Sequence, residues 1–284
     1  MIKILKASFG LSIQDLGRTN HRTIGVPVSG VMDRYSMKLS NLILNNQETD
    51  AVLEITFGGC QLQFEEACQI AITGADFSPT LDGEPVSMNS ALNVPKGAIL
   101  KFGKRLFGVR TYVAVEQGFQ TEKVLESRSM YKGITPFTTS EKETILHAKS
   151  NQTKERTSNS AIKVPEKHFT STSITCFKGP EFDELNDLQK QQLLETKFTI
   201  SANNSRMGYQ LEELLPNDFP SMLTSAVLPG TVQLTPSGKL IVLMRDCQVT
   251  GGYPRVLQLT DTAINQLAQK TTGDKFSFDI QNNI

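Results

Sequence analysis

The sequence has no tryptophan, and its lysine and arginine residues equal its aspartate and glutamate residues in number, 29 against 29. A chain without net positive charge has no overall field that gathers phosphate groups, so we expect no nucleic-acid partner. Long apolar runs are also missing. The longest, residues 240–244, is far shorter than the ~20 residues that span a bilayer. The sequence therefore predicts a globular protein without a membrane partner.

Cysteine is scarce, and the four cysteines show no close ligand spacing; they are Cys60, Cys68, Cys176 and Cys247. Three of them lie in apolar, strand-like stretches, which favours reduced, packed thiols. The amino-terminal residues alternate between charged and apolar and do not resemble a secretory signal. These features predict a cytoplasmic location.

Common cofactor and catalytic motifs are also missing. The sequence has no P-loop, no dinucleotide-binding glycine pattern, no H-E-x-x-H and no G-x-S-x-G. The three histidines, His21, His147 and His168, are isolated from one another, and we expect no metal site.

Most of the chain alternates apolar and polar residues with period two, as in 53–57 and 68–73, and turn signals separate these runs. This pattern predicts a mainly β fold of barrels or sandwiches. Helices are predicted only at 34–44, 180–195 and 261–269.

The sharpest loss of hydrophobicity spans residues 148–167, which are almost wholly polar. We place a domain boundary there. The sequence therefore predicts an N-terminal domain over 1–150 and a C-terminal domain over 165–284.

Three polar segments stand out from the strands. In residues 15–34, glycines accompany Arg18 and Asp33. This pattern fits either an anion site or a purely structural arrangement, in which Asp33 caps the following helix and forms an ion pair with Arg18. In residues 203–209, Arg206 follows a strand, where a plain turn with a surface salt bridge is the favoured interpretation. In residues 243–254, an apolar strand ends in Arg245 and Asp246 and leads to a glycine pair. A hairpin needs fewer polar residues, so this third segment favours a site.

Several ordered motifs in these segments resemble one family, the biotin-dependent carboxyltransferase-like proteins, which include allophanate hydrolase subunit 2, the C subunit of bacterial 5-oxoprolinase and the kinase-inhibitor antagonist. The motifs are at 14–18, 25–33, 73–75, 205–209 and 246–254. The chain departs from the family pattern after Ser129, in the 130–145 loop.

The resemblance implies two cyclophilin-like β-barrel domains with a few short helices. It also implies work as the C subunit of an ATP-dependent 5-oxoprolinase, which opens 5-oxo-L-proline to L-glutamate together with subunits A and B, B being the kinase-inhibitor-like protein. ATP would be held by the complex, on this chain or a partner, and biotin is not expected. Two alternatives stay open: an allophanate hydrolase subunit 2 or carboxyltransferase module, and a non-catalytic regulator that binds a histidine-kinase inhibitor protein.

Under this interpretation, Asp33 and Asp246 are the candidate acid–base carboxylates, and Arg18 and Arg206 would hold a substrate carboxylate or phosphoryl group. The remaining predicted substrate-binding residues are Ser29, Gly30, Gln233, Gln248, Thr250, Gly251, Gly252 and Tyr253. Among these, Gln233, Gln248 and Thr250 would hydrogen-bond the amide. We expect the 18–33 and 246–253 loops to face each other across one cleft between the domains.

Overall fold

The computed structural model describes residues 1–148, 162–220 and 222–281. The chain divides into two compact units. The first comprises Met1–Arg18 and Asp33–Phe169, and the second comprises Thr19–Met32 and Thr170–Ile284. A short N-terminal segment therefore belongs to the second unit.

The first unit is built from two β-sheets. Its strands are β1 (Ile2–Lys6), β2 (Ser12–Gln14), β3 (Val52–Thr56), β4 (Gln61–Phe64), β5 (Cys68–Asp76), β6 (Thr80–Leu81), β7 (Glu84–Pro85), β8 (Ala91–Val94), β9 (Ile99–Lys101), β10 (Phe107–Val115) and β11 (Ile145–Leu146). One sheet has the order β11-β1-β4-β9-β6-β7, and the other has the order β2-β3-β10-β5-β8.

The long strands β5 and β10 form the centre of the second of these sheets. They pair antiparallel, with Tyr112 opposite Thr73 and Val113 opposite Ile72. Alternating apolar side chains of both sheets, such as Ile4, Leu62 and Val113, pack into one buried core. The period-two pattern of the sequence therefore reflects strands with one face against this core.

The helix α1 (Arg34–Ile43) begins at Asp33, whose side chain accepts a hydrogen bond from the Ser36 amide. This is the predicted N-cap. Met37 and Leu39 are buried, whereas Leu42 is exposed. A second, one-turn helix, α2 (Lys167–Thr170), follows the polar stretch.

The second unit contains a closed seven-stranded barrel with the order β12-β19-β16-β17-β14-β13-β20. Its elements are β12 (Ser173–Lys178), α3 (Asp187–Glu195), β13 (Phe198–Asn204), β14 (Gly208–Leu214), β15 (Ser225–Ala226), β16 (Thr231–Leu234), β17 (Lys239–Leu243), β18 (Thr250–Gly251), β19 (Arg255–Leu259), α4 (Asp261–Leu267) and β20 (Lys275–Ile280). Short 3-10 helices lie at Arg22–Ile24 and Phe182–Glu184.

The barrel closes because β12 and β20 pair in parallel, with Ser173 opposite Ser277. Closure gives every barrel strand a neighbour on both sides. The barrel core includes Val232, Val242 and Leu257, together with Met32 from the N-terminal segment. Outside the barrel, β15 and β18 form a two-stranded ribbon.

The predicted helix over 180–195 is divided in two. Phe182–Glu184 forms a 3-10 turn, Leu185 is extended, and α3 starts anew at Asn186. Asn186 and Gln189 form a reciprocal capping box, which fixes the later start. The helix predicted at 261–269 is α4, capped by Thr260.

The mainly β fold class is confirmed, with a closed barrel in the second unit and two sheets in the first. Most of the predicted domain boundary, which spans residues 148–167, lies outside the described residues, at 149–161. The predicted N-terminal domain, 1–150, includes Thr19–Met32, whereas in the structure this segment groups with the second unit. The reason is that this segment is anchored by long-range contacts, described below, that no local pattern encodes.

In the described part of the chain, no helix is long and apolar enough to span a membrane. All four cysteines are free thiols; three are buried and Cys68 is partly exposed. Burial raises the pKa of each thiol to about 12.

Candidate functional site

Asp246 is the centre of a polar cluster in the second unit. Its Oδ1 accepts hydrogen bonds from Ser29 Oγ at 2.6 Å and Arg206 Nη2 at 2.9 Å, and its Oδ2 accepts from Arg206 Nε at 2.7 Å. Arg206 Nη2 also donates to the Gly30 carbonyl. The cluster thus joins three of the segments in which the sequence predicted site residues.

Local structure places these side chains. Asp246 follows the end of β17, and its amide donates to the Arg206 carbonyl at 2.9 Å, in the turn between β13 and β14. Ser29 and Gly30 have φ angles of 58° and 92°. A left-handed serine is uncommon, and here the resulting turn directs its hydroxyl and the next carbonyl at the ion pair.

The Asp246–Arg206 pair has the two-point geometry that a guanidinium and a carboxylate favour. The side chains of Arg206 and Asp246 are only 21% and 11% exposed. Because both carboxylate oxygens already accept hydrogen bonds, Asp246 is held in a single orientation. This pair also fixes the guanidinium of Arg206 against Gly30.

A second cluster surrounds Gln233 in β16. Gln233 is 1% exposed, and its Oε1 accepts from Gln248 Nε2 at 3.3 Å. A Cβ atom added at Gly251 would lie 2.4 Å from Gln233 Nε2. A side chain at position 251 would therefore require the carboxamide of Gln233 to shift, and glycine lets β18 lie this close without such a shift.

The ribbon of β15 and β18 covers Gln233, with Ser225 opposite Gly251. Two arginines anchor it from outside. Arg22 Nη2 donates to the Val227 and Val249 carbonyls, and Arg255 Nη1 donates to the Ala226 carbonyl. Of the predicted residues on its outer side, Thr250, Gly252 and Tyr253 are exposed.

Arg255 is itself positioned by Glu181. Its Nη2 donates to Glu181 Oε1 at 2.7 Å, and its Nε and backbone amide both donate to Oε2, at 3.0 Å and 2.8 Å. Burial alone would raise the pKa of Glu181, but the hydrogen bonds and charge of Arg255 lower it overall. The pair therefore ties the ribbon to the segment that follows β12.

In the first unit, Asp33 is fully buried. Its carboxylate accepts from Ser36, and its Oδ2 lies 2.8 Å from His168 Nε2. The Asp33 amide donates to the Tyr112 hydroxyl oxygen, and that hydroxyl donates to Glu54. Burial, and then the nearby carboxylates of Glu54 and Asp33, raise the pKa of Tyr112 well above its usual value.

Arg18 is also buried in the first unit, at 1% exposure, where its Nη2 donates to the Ser129 carbonyl. Next to it, Asp15 accepts hydrogen bonds from both Ser127 and Ser129 hydroxyls at 2.6 Å. This network ties the start of the first polar segment to residues 127–129, just before the 130–145 loop.

The structure thus groups seven of the predicted residues within the second unit into two clusters, Ser29–Gly30–Arg206–Asp246 and Gln233–Gln248–Gly251, and leaves Thr250, Gly252 and Tyr253 exposed. Arg18 and Asp33 lie in separate networks of the first unit. The two loops were predicted to face each other across a cleft between the domains. Instead, Ser29 bonds directly to Asp246 within the second unit, because Thr19–Met32 belongs to that unit.

Sequence reasoning missed residues that support these clusters: Arg22, His168, Glu181, Ser225 and Arg255. Glu181 had a signal, since it is a charged residue directly after Gly179 and Pro180, at the start of the helix predicted over 180–195. Ser225 had none, because it is one of many serines in polar turns. Within the described residues, no three His, Cys, Asp or Glu side chains are placed to hold a metal ion.

Comparison with known proteins places this arrangement in a family. The family model for the carboxyltransferase domain, subdomain A and B, matches residues 24–280. The C subunit of 5-oxoprolinase from Haemophilus influenzae is 29% identical over 286 residues, which cover 98% of this chain and 91% of that protein. The C subunit of 5-oxoprolinase from Escherichia coli is 30% identical over 285 residues, 98% of this chain and 90% of that protein.

The fold is also similar to that of the K. lactis urea amidolyase crystal structure, with a TM-score of 0.84 and 23% identity. That match covers 98% of this chain but only 18% of the urea amidolyase chain. At this identity the likeness concerns the fold alone. The family match over most of the sequence leads to the conclusion that the chain belongs to the carboxyltransferase domain, subdomain A and B, family.

Proposed function

We propose that this chain is the C subunit of a multi-subunit, ATP-dependent 5-oxoprolinase that opens 5-oxo-L-proline to L-glutamate. The observation that carries the proposal is the sequence match to the C subunits of two 5-oxoprolinases, which covers nearly the full length of this chain and of each relative. The likeness to the K. lactis urea amidolyase structure concerns the fold alone, so it carries less weight for function.

The two clusters of the second unit supply chemistry suited to such a substrate. 5-Oxoproline carries an amide and a carboxylate. A buried carboxamide at Gln233 can hydrogen-bond the amide, and a fixed guanidinium at Arg206 can attract the carboxylate.

Opening a stable lactam requires activation of the amide oxygen and a base that delivers water. ATP, held by the complex, supplies the activation. Asp246 is the proposed acid–base carboxylate, since its bonds to Ser29 and Arg206 hold it in one orientation. Asp33 is fully buried, so any acid–base role for it passes through His168, 2.8 Å away.

The test is an assay of the purified chain with and without subunits A and B, measuring glutamate release and ADP formation together. We expect neither product from the chain alone and both from the three subunits. Asp246→Asn in the complex should lower turnover by ~10²-fold or more, while Asp183→Asn, a carboxylate that is 82% exposed in the same unit, should not.

Failure of the three-subunit mixture to consume 5-oxoproline would refute the proposal. Carboxyl transfer from biotin to urea would then favour the carboxyltransferase alternative. Tight binding of the kinase-inhibitor-like protein without any turnover would favour the regulator.

A further inference from the structure

Two buried polar atoms of the second unit have no hydrogen-bond partner among the described residues: Gln233 Nε2 and Ser225 Oγ. Gln233 is 1% exposed, and its other amide atom, Oε1, is bonded to Gln248. Polar atoms buried in this way are nearly always paired in native proteins. Two unpaired atoms near one glycine therefore call for a physical explanation.

Both atoms lie on the side of the β15–β18 ribbon that faces β16. The Cβ position of Gly251 lies 2.4 Å from Gln233 Nε2 and 3.4 Å from Val227 Cγ1, so this side of the ribbon faces the carboxamide. Ser225 is paired directly opposite Gly251. Residues opposite each other in an antiparallel pair project to the same face, with Cβ atoms roughly 4.5–5.5 Å apart. Ser225 therefore projects toward Gln233 as well.

The chemistry of the two atoms is complementary. The Nε2 of a carboxamide only donates, whereas a serine hydroxyl can donate or accept. Side by side, they match a group that presents a carbonyl oxygen and an N–H on one edge. A cis amide, as in a lactam ring, has this edge. The trans amide of a peptide carries its oxygen and its N–H in the same plane but on opposite sides of the C–N bond.

We propose that Gln233 and Ser225 form an amide-binding pair that takes the edge of a cis amide. The carbonyl oxygen accepts from Gln233 Nε2, and the ligand N–H donates to Ser225 Oγ. The choice of a lactam over other cis amides rests on the function proposed above. Since the ribbon carries Ser225 and lies against Gln233, the ligand enters when the β15–β18 ribbon lifts from Gln233. Gly251 lets the ribbon close again without a side chain in the way.

The experiment is titration calorimetry of the full chain with 2-pyrrolidone and 5-oxo-L-proline, and with N-methylacetamide as the trans amide. We expect the lactams to bind at least about tenfold more tightly than the trans amide. Ser225→Ala and Gln233→Met should each weaken lactam binding by about tenfold or more, the effect of one lost hydrogen bond to a buried partner. Ser87→Ala and Gln47→Met, exposed positions in the first unit, serve as matched controls.

The same variants are assayed for KM in the three-subunit mixture. Ser225→Ala removes only one oxygen, and we expect this variant to fold. Unchanged lactam affinity and unchanged KM in this variant would overturn the inference. Equal affinity for the trans amide would also overturn it, as would no lactam binding by either the chain or the complex. A crystal soaked in 2-pyrrolidone in which a water, and no lactam, bridges Gln233 and Ser225 would do the same.

The two proposals fail separately. A complex that opens 5-oxoproline with a normal KM in Ser225→Ala refutes the amide-binding pair alone. A chain that binds 2-pyrrolidone through the pair, in a complex that never consumes 5-oxoproline, refutes the proposed function and leaves the pair in place.

Discussion

Replacing Asp246 by asparagine tests the ion pair that holds the first cluster together. Asp246 accepts one hydrogen bond from Ser29 and two from Arg206. Asparagine keeps the size but has a single acceptor oxygen. If that oxygen serves Ser29 and Arg206 Nη2, the new amide NH₂ meets Arg206 Nε, and two donors face each other. The variant therefore loses the charge attraction and gains a repulsive contact.

The expected magnitude follows from burial. Removing one partner of a fully buried ion pair costs about 3–5 kcal/mol. Here the arginine and aspartate side chains keep 21% and 11% exposure, so solvent screens part of the interaction. We therefore expect Asp246→Asn to destabilise the second unit by about 2–3 kcal/mol, at or below the lower end of the range for a fully buried pair.

The assay is urea unfolding of the full chain, followed by circular dichroism and fitted with a separate transition for each unit. A double-mutant cycle with Arg206→Met isolates the pair, and we expect a coupling free energy of about 2 kcal/mol. Asp183→Asn, which alters an 82% exposed carboxylate, is the control. Effects of the two single variants that add to within ~0.5 kcal/mol would refute the coupling argument.

Three further outcomes are expected. Hydrogen bonds from Arg255 lower the pKa of Glu181 from 4.5 despite burial. The ion pair therefore stabilises the fold above pH 4.5, and this stabilisation is lost as the pH falls below that value. Glu181→Gln should flatten the acid limb of a plot of Tm against pH, and an unchanged limb would contradict this. A Cβ at Gly179 would lie 2.0 Å from the Arg255 carbonyl, whereas the atom nearest to a Cβ at Gly252 is 3.8 Å away. In urea titrations, Gly179→Ala should therefore lower the free energy of unfolding by about 3 kcal/mol, and Gly252→Ala by under ~0.5 kcal/mol. Equal losses would show that the barrel backbone shifts freely at Gly179. Finally, since burial raises the pKa of the Cys68 thiol to about 12, labelling by a thiol reagent at about pH 8 should follow unfolding, and rapid labelling of the native chain would be inconsistent with this burial.

The strands could be predicted from the sequence because the barrel and sheets bury one face of each strand. Residues 52–56 and 68–76 alternate because every second side chain meets the core. The start of α1 was also predictable, since Asp33 caps it locally. The break at Leu185 was not, because it depends on the capping box that follows it rather than on hydrophobic spacing.

The candidate site was only partly predictable. Arg206 and Asp246 stood out because charged residues at the ends of apolar strands need a partner, and here they pair with each other. Their third partner, Ser29, is 217 positions from Asp246, and no periodicity relates the two. Ser225 likewise has no local signal, since the proposed role comes from its pairing opposite Gly251, which lies against Gln233. Side chains whose role depends on a partner distant in sequence are identified only from the three-dimensional structure.

The assignment of Thr19–Met32 to the second unit has a consequence for where the chain can be divided. A fragment over 165–284 keeps every barrel strand but lacks Met32, which is fully buried in the barrel core. Losing a buried methionine side chain typically costs about 2–5 kcal/mol. The fragment also lacks Ser29 and the Gly30 carbonyl, so Asp246 and Arg206 each lose a partner.

We therefore expect the 165–284 fragment to be expanded, with strand signal in the far-ultraviolet but weak near-ultraviolet circular dichroism. A peptide spanning residues 19–33, added in trans, should restore the near-ultraviolet signal and raise Tm progressively as its concentration increases, because it binds only the folded barrel. A peptide of the same composition in scrambled order is the control. A fragment that unfolds cooperatively on its own, at a Tm that the peptide does not change, would show that the barrel does not need this segment.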